Sequence, residues 1–266
     1  MSDRGGRRED REKGKNENWI YGINPVLEAI RSGRQITSVH IHNQKHDQVR
    51  SIMETAKSKG VPVTVEDRDF FDSRFLKGHQ GVAALVGRKK LLKLDDLTGL
   101  ASGIKVAPFF LILDSIEDPR NFGAILRVAD AAGVNGVIFQ SHRSAGITPV
   151  VAKASAGALE HVNMVEVVNI KHAMEKMKEL DIVLIGAEAG SKTTHWEIDM
   201  KVPLALVVGS EGQGLRKTVL EKCDYVVSLP MAGTVNSLNV SVATGILSYE
   251  VMRQRRLQDV MNYKSL

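Results

Sequence analysis

Three short segments concentrate the residues able to do polar chemistry. The first is Asp114-Ser115-Ile116-Glu117-Asp118-Pro119-Arg120-Asn121-Phe122-Gly123, followed by Arg127. It carries an amide, Asn121, and a guanidinium, Arg127, about two helical turns apart. The second is Val208-Gly209-Ser210-Glu211-Gly212-Gln213-Gly214-Leu215, which sets the carboxylate of Glu211 among glycines. The third runs from Leu229-Pro230-Met231-Ala232-Gly233 to Ser237-Leu238-Asn239-Val240-Ser241. Small and amide side chains leave such turns open, so that their backbone can approach a ligand. Arg127 can grip a phosphate or a reacting oxygen with two parallel hydrogen bonds, or it can serve as a structural cover for a sheet edge. Glu211 can accept hydrogen bonds and so orient a neighbouring loop, or it can simply complement a helix N-terminus.

These segments become more than loops once the elements carrying them are placed. Each lies at or just after the end of an apolar run that reads as a strand (Phe109–Asp114, Leu204–Val208 and Tyr225–Leu229), and each opens a helical pattern. Strands are also expected over Gly136–Gln140, Met164–Val168 and Ile182–Ala187, with helices over Phe122–Ala132, Pro149–Leu159, Ile170–Leu180, Leu215–Lys222 and Leu238–Arg253. Continuous Val/Ile/Leu runs are the mark of strands buried on both faces, which means a parallel sheet between helices. Ligands then sit at the carboxyl ends of the strands, where all three polar segments fall.

A second, smaller module precedes this one. Order is expected to begin near Trp19-Ile20-Tyr21-Gly22, with Asn24 as N-cap and Pro25 at the first position of a helix ended by Gly33. Strands over 37–41, 61–65 and 80–86 alternate with helices around Asp47–Lys59 and Asp67–Leu76. The chain therefore divides into a disordered tail (1–17), a small α/β domain (18–88), a linker (89–106) with at most a short helix, and the larger α/β domain (107–266).

Charge separates the modules as well. Residues 18–93 hold thirteen Lys/Arg against seven Asp/Glu, whereas residues 94–266 hold seventeen against nineteen. A basic module beside a near-neutral one suits a polyanion-binding domain joined to one that does chemistry, although a solvated basic surface would look the same. Together with the three loops, this points to a nucleotide-like cofactor and an RNA substrate. The single cysteine, Cys223, has no partner at metal spacing, so neither a disulfide framework nor a metal site is expected. No apolar run reaches membrane-spanning length and no leader is visible, which points to a cytoplasmic protein without a membrane partner. The glycine loops match neither the dinucleotide fingerprint nor a P-loop, so a nicotinamide-dependent oxidoreductase is disfavoured.

Asn121-x-Gly123-x3-Arg127, Gly209-Ser210-Glu211-Gly212-x-Gly214 and Leu229-Pro230-Met231-x-Gly233-x3-Ser237-Leu238-Asn239-Val240-Ser241 resemble the three motifs of the SpoU (TrmH-like) RNA ribose 2′-O-methyltransferases. Tyr21-Gly22-x-x-Pro25-Val26-x-Glu28-Ala29 resembles the substrate-binding domain of the branch that methylates a guanosine in large-subunit ribosomal RNA. The resemblance implies a C-terminal α/β/α domain tied in a trefoil knot of the SPOUT type, and an N-terminal domain like ribosomal proteins of the L7Ae type. It further implies S-adenosyl-L-methionine held by backbone around Gly209, Leu229, Met231 and Leu238, a homodimer, and an active site near the subunit interface. Arg127, Asn121, Glu211, Ser237 and Asn239 would serve the chemistry. Arg127 would stabilise a developing alkoxide or hold the adjacent phosphate, since a guanidinium stays protonated. Two alternatives stay open from residues alone: a tRNA substrate, and an RNA-binding assembly factor without catalysis.

Overall fold

The computed structural model describes residues 18–42, 47–75, 77–102 and 106–263. The expected tail over 1–17 lies outside the described residues. The chain divides into two compact units, with the break after Lys89.

The first unit is built on a four-stranded sheet. Its strands are β1 (Trp19–Tyr21), β2 (Ile36–Ile41), β3 (Val63–Val65) and β4 (Val82–Val86), in the order β1-β4-β2-β3. β4 runs antiparallel to both neighbours, while β2 and β3 are parallel. Helix α1 (Ile23–Arg31) starts two residues before the expected position. Gly22, at φ 97°, is its N-cap, and Ile23 N donates to Gln80 Oε1 at 3.2 Å. Pro25 is tolerated inside the first turn, where its missing N–H would have no partner within the helix. Helices α2 (Asp47–Ser58) and α3 (Arg68–Arg74) follow, the latter capped by Asp67, which accepts from Phe70 N at 2.8 Å. Val26, Ala29, Ile30, Val39, Ile41, Ile52 and Ala56 are buried, and Tyr21, Phe71 and Ala83 form a separate cluster with Trp19, Phe70 and Phe75.

The second unit contains a six-stranded, wholly parallel sheet. The strands are β5 (Phe109–Leu113), β6 (Gly136–Gln140), β7 (Met164–Val167), β8 (Val183–Ala187), β9 (Leu204–Val208) and β10 (Tyr225–Val227), in the order β10-β8-β9-β5-β6-β7. Every residue of β5, β6 and β9 is buried, so the strands are apolar on both faces, as a parallel sheet between helices requires. The helices are α4 (Leu97–Ala101), α5 (Pro119–Ala131), α6 (Pro149–Ala154), α7 (Ile170–Glu179), α8 (Lys217–Leu220) and α9 (Val240–Tyr263). One core joins Phe110, Ile112, Ile138 and Val207 to Ile170, Met174 and Met177 of α7 and Val219 of α8. Elsewhere, α5 packs against α6 and α9.

The strands advance from β5 through β6 to β7. The chain then crosses to β8 on the other side, and β9 inserts between β8 and β5. The order therefore reverses between β5 and β9, which is where open parallel sheets form their ligand crevice. Leu113 and Val208, the last residues of those strands, are register partners.

Several sequence-based boundaries change in the second unit. The segment read as a linker is part of the second unit from Lys90 onward: Leu92 bridges to Val165, and Leu97 of α4 is buried in the core. Its mixture of Leu with polar residues is that of a half-buried strip. The helix expected over Pro149–Leu159 breaks after Ala154, because Ala156 and Gly157 take positive φ (53° and 100°) before a 3-10 turn over Ala158–Glu160. α8 is shorter than expected. α5 begins at Pro119 rather than Phe122, with Asp118 Oδ1 accepting from Arg120 N at 2.8 Å.

Candidate active site

The second motif is a tight loop leaving β9. Gly214 N donates to Ser210 O at 3.0 Å, closing the turn, and Gly212 and Gly214 both take positive φ (81° and 65°). At Gly209 even a methyl group would collide with the carbonyl of Gly214 and would lie 2.5 Å from Leu215 N. Glu188, just beyond β8, holds the far side by accepting from Leu215 N at 3.0 Å. The loop is thus folded back on itself, and Glu211 stands at its tip.

Asn239 gathers the three motifs. It stands before α9, where its Oδ1 accepts from Ser241 N at 2.9 Å and Ser241 Oγ at 2.6 Å. Its Nδ2 donates to Asn121 Oδ1 at 3.0 Å and to Glu211 Oε1. Glu211 Oε1 also accepts from Val240 N at 3.4 Å. One carboxylate oxygen of Glu211 thus meets both the Asn239 amide and the first N–H of α9. Asn121 is buried in the first turn of α5. That helix can sit close to α6 because residue 123 is glycine; a Cβ there would meet Ala154 Cβ and lie 2.8 Å from Val151 O.

Two cavities flank this junction. One, of about 480 Å³, is lined by all four expected cofactor residues, Gly209, Leu229, Met231 and Leu238, together with Ser237 and Asn239. Glu188 contributes a carboxylate to it, and Val208 and Leu247 contribute apolar surface. The other, of about 470 Å³, is lined by Asn121, Ser115, Arg143 and Arg216. Glu211 and Val240 line both.

Arg127 stands apart. It is exposed, lines neither cavity, and has no hydrogen-bond or ion-pair partner among the described residues. The cause is helical geometry: six residues beyond Asn121 on α5 places it roughly 120° around the helix from that amide. Cys223 is half-buried, and burial pushes its thiol up to about 12.

Sequence reasoning missed one arrangement. Asp114, at the end of β5, is completely buried against Arg216, and Gln140, at the end of β6, joins them. The signal available was a lone carboxylate ending an otherwise apolar strand.

Among the described residues no group of His, Cys, Asp and Glu could hold a metal ion, and no helix is long and apolar enough to cross a membrane.

A parallel α/β domain whose glycine loops and paired amides converge at the sheet's switch point has the framework of a site for a nucleotide-like ligand. Comparison with known proteins makes this specific. The profile described as SpoU rRNA Methylase family matches residues 108–249, and that described as RNA 2′-O ribose methyltransferase substrate binding matches residues 19–92. YacO of Bacillus subtilis, whose name places it in the TrmH family of tRNA/rRNA methyltransferases, is 42% identical over 238 residues, covering 89% of this chain and 96% of that protein. The SpoU methyltransferase AviRb of Streptomyces viridochromogenes, solved in complex with AdoMet, superposes with a TM-score of 0.76 at 26% identity, covering 94% of each chain. A TrmH/SpoU tRNA modifying enzyme of A. aeolicus is 30% identical over 62% of this chain, with a TM-score of 0.54. The chain belongs to the SpoU (TrmH) family of RNA methyltransferases.

Proposed function

We propose that this protein transfers a methyl group from S-adenosylmethionine to the 2′-hydroxyl of a guanosine ribose in large-subunit ribosomal RNA, in the cytoplasm. The carrying observation is the junction of Asn121, Glu211 and Asn239 beside the cavity lined by Gly209, Leu229, Met231 and Leu238. That cavity is within the range of small-molecule sites, roughly 300–1,000 Å³. Its mixture of apolar side chains, loop backbone and the Glu188 carboxylate suits an adenosine joined to a cationic amino acid. When bound, the cofactor supplies a methyl group on a sulfonium.

The residues then have separable tasks. Gly209, Leu229, Met231 and Leu238 hold the cofactor. Asn239, kept in one orientation by Glu211, and Ser237 border the place where the ribose hydroxyl meets the methyl group. As the hydroxyl oxygen bonds to the methyl carbon, the methyl–sulfur bond would break and the hydroxyl proton would pass to solvent; alignment of oxygen, methyl and sulfur is a positioning task. Arg127, always protonated, is turned away from the junction of its own chain, so in a homodimer it would stabilise the developing alkoxide or the adjacent phosphate at the partner's site.

The larger domain carries the catalytic reaction, with its C-terminal segments tied in a trefoil knot. The smaller domain, L7Ae-like in fold, holds the RNA; its family description and its excess of Lys/Arg support that division. A homodimer completes the reading. Val242, Ile246 and Tyr249 form an exposed apolar stripe at helical spacing on α9, the helix that packs on α5, which bears the unpartnered Arg127. A second copy covering that stripe brings a site to the interface.

Radiolabelled S-adenosylmethionine and unmodified large-subunit ribosomal RNA test the proposal, with the label mapped by nuclease digestion and mass spectrometry. Label on the 2′-oxygen of one guanosine is expected. Label on tRNA alone overturns the substrate, and cofactor binding without transfer to any RNA or ribosomal particle overturns the enzyme.

A further inference from the structure

The 470 Å³ cavity on the other side of Glu211 holds a cationic device that none of the three motifs accounts for. Arg216 precedes α8 and borders this cavity. Asp114, fully buried, accepts from Arg216 N at 3.0 Å through Oδ2 and from Arg216 Nε at 2.7 Å through Oδ1. Arg216 Nη2 lies 2.6 Å from the same Oδ1 and donates to Gln140 Oε1 at 2.6 Å. Gln140 is itself tied down, donating to Val168 O at 3.1 Å. Two edges of the guanidinium are thus fixed by groups from the ends of β5 and β6. Nη1 has no partner among the described residues, and a third of the side chain remains exposed.

Burying a carboxylate completely is costly unless its partner geometry is well made. A surface arginine needing only solubility requires none of this. The arrangement instead removes the guanidinium's rotational freedom and leaves Nη1 unpaired on a partly exposed side chain that borders the cavity. Arg143 enters the same cavity from the loop after β6. Its backbone is left-handed (φ 58°), a conformation unfavourable for a non-glycine residue, and it has no ion-pair or hydrogen-bond partner among the described residues. The carboxylates at the cavity are Glu117, Asp118 and Glu211. Asp118 and Glu211 accept from Arg120 N and Val240 N at the starts of α5 and α9, whereas Glu117 is exposed.

We propose that Arg216 and Arg143 form a clamp for an RNA backbone phosphate adjoining the target ribose, with Asp114 and Gln140 as positioning residues for Arg216. Planar guanidinium donors match phosphate oxygens bidentately, and phosphate contacts set register rather than sequence. The cavity shares Glu211 and Val240 with the cofactor cavity, so a nucleotide anchored there presents its ribose at the Asn239 junction. The inference rests on the proposed RNA methyl transfer.

The test compares wild type, Arg143→Gln and the double variant Asp114→Asn/Arg216→Gln, which removes both members of the pair so that no unpaired charge stays buried. Binding to an unmodified ribosomal RNA fragment is measured across salt concentrations, with RNA KM, kcat and cofactor affinity. Loss of one phosphate contact lowers the slope of log K against log salt by about 0.7–0.9. Each variant is expected to show that decrease and a rise in RNA KM of about 10-fold, with cofactor affinity within about twofold of wild type. An unchanged slope in Arg143→Gln, or in a folded double variant, overturns the clamp. If the double variant fails to fold, the Arg143→Gln slope decides alone. A wild-type protein that methylates no RNA overturns the functional reading and the clamp with it. Methylation by wild type with unchanged variant slopes overturns the clamp only.

Discussion

Gly209→Ala is the sharpest test of how the glycine loop is built. The added methyl would collide with the Gly214 carbonyl and lie 2.5 Å from Leu215 N, whereas ordinary contact begins at about 3.4 Å. All the obstructing atoms are backbone, so no side chain can swing aside. The Ser210–Gly214 turn must retreat by about 1 Å, pulling Leu215 N away from Glu188 and shifting Glu211 relative to Asn239. Overpacking of this kind typically costs about 1–3 kcal/mol, and each kcal/mol lowers Tm by about 2–4 °C in a domain of this size. A displacement of about 1 Å at a reacting centre can cost about 100-fold in rate. Calorimetric titration with S-adenosylmethionine, thermal melting and methyl-transfer assays read the three effects. Gly233→Ala is the control: a methyl there meets nothing within 4 Å and the residue does not take positive φ, so Tm stays within about 2 °C. Wild-type cofactor affinity and turnover in Gly209→Ala would refute the close-approach argument.

Four further outcomes are expected. Asn239→Ala removes the group joining Asn121 to Glu211 and leaves the buried Asn121 oxygen without its partner, so stability falls by about 1–3 kcal/mol and turnover by about 100-fold or more, read by melting and methyl transfer. Arg127→Ala lowers turnover by about 100-fold while cofactor affinity holds; near-normal turnover would remove Arg127 from the mechanism. Cys223, whose thiol is pushed up to about 12 mainly by burial, resists alkylation at pH 8 in the folded protein and reacts in denaturant, a contrast measurable by mass spectrometry. The Arg253 hydrogen bonds to Glu250, at 2.7 Å each, hold that carboxyl below its ordinary value. A depressed folded-state value stabilises above the unfolded one and is lost as pH falls through the folded one. The Tm difference between wild type and Glu250→Gln should therefore be largest above the ordinary glutamate range and vanish on acidification.

The chain's periodicity carried much of the fold. Uninterrupted apolar runs such as Phe109–Leu113 and Leu204–Val208 suit strands covered on both faces in a parallel sheet, and they are fully buried there. Local chemistry likewise located the glycine loops and the Asn239 turn. Boundaries were less legible where two weak signals competed: Asn24-Pro25 resembled a helix start, yet Gly22 and a bond from Ile23 to the distant Gln80 set it earlier. Leu97 looked like a linker residue because its burial depends on a core made by strands far along the chain.

The same distinction divides the site. Residue types and spacing alone determined which side chains could act and that each followed a strand, because those are local properties of a chain alternating between two periods. Only the tertiary structure decided that β9 inserts beside β5, which brings Asn121 within 3.0 Å of Asn239 across 118 residues of sequence. It also turned Arg127 away from that junction and locked Arg216 against Asp114. Such pairings depend on strand order and helix phase, which arise from packing the whole domain and leave no mark in any single segment.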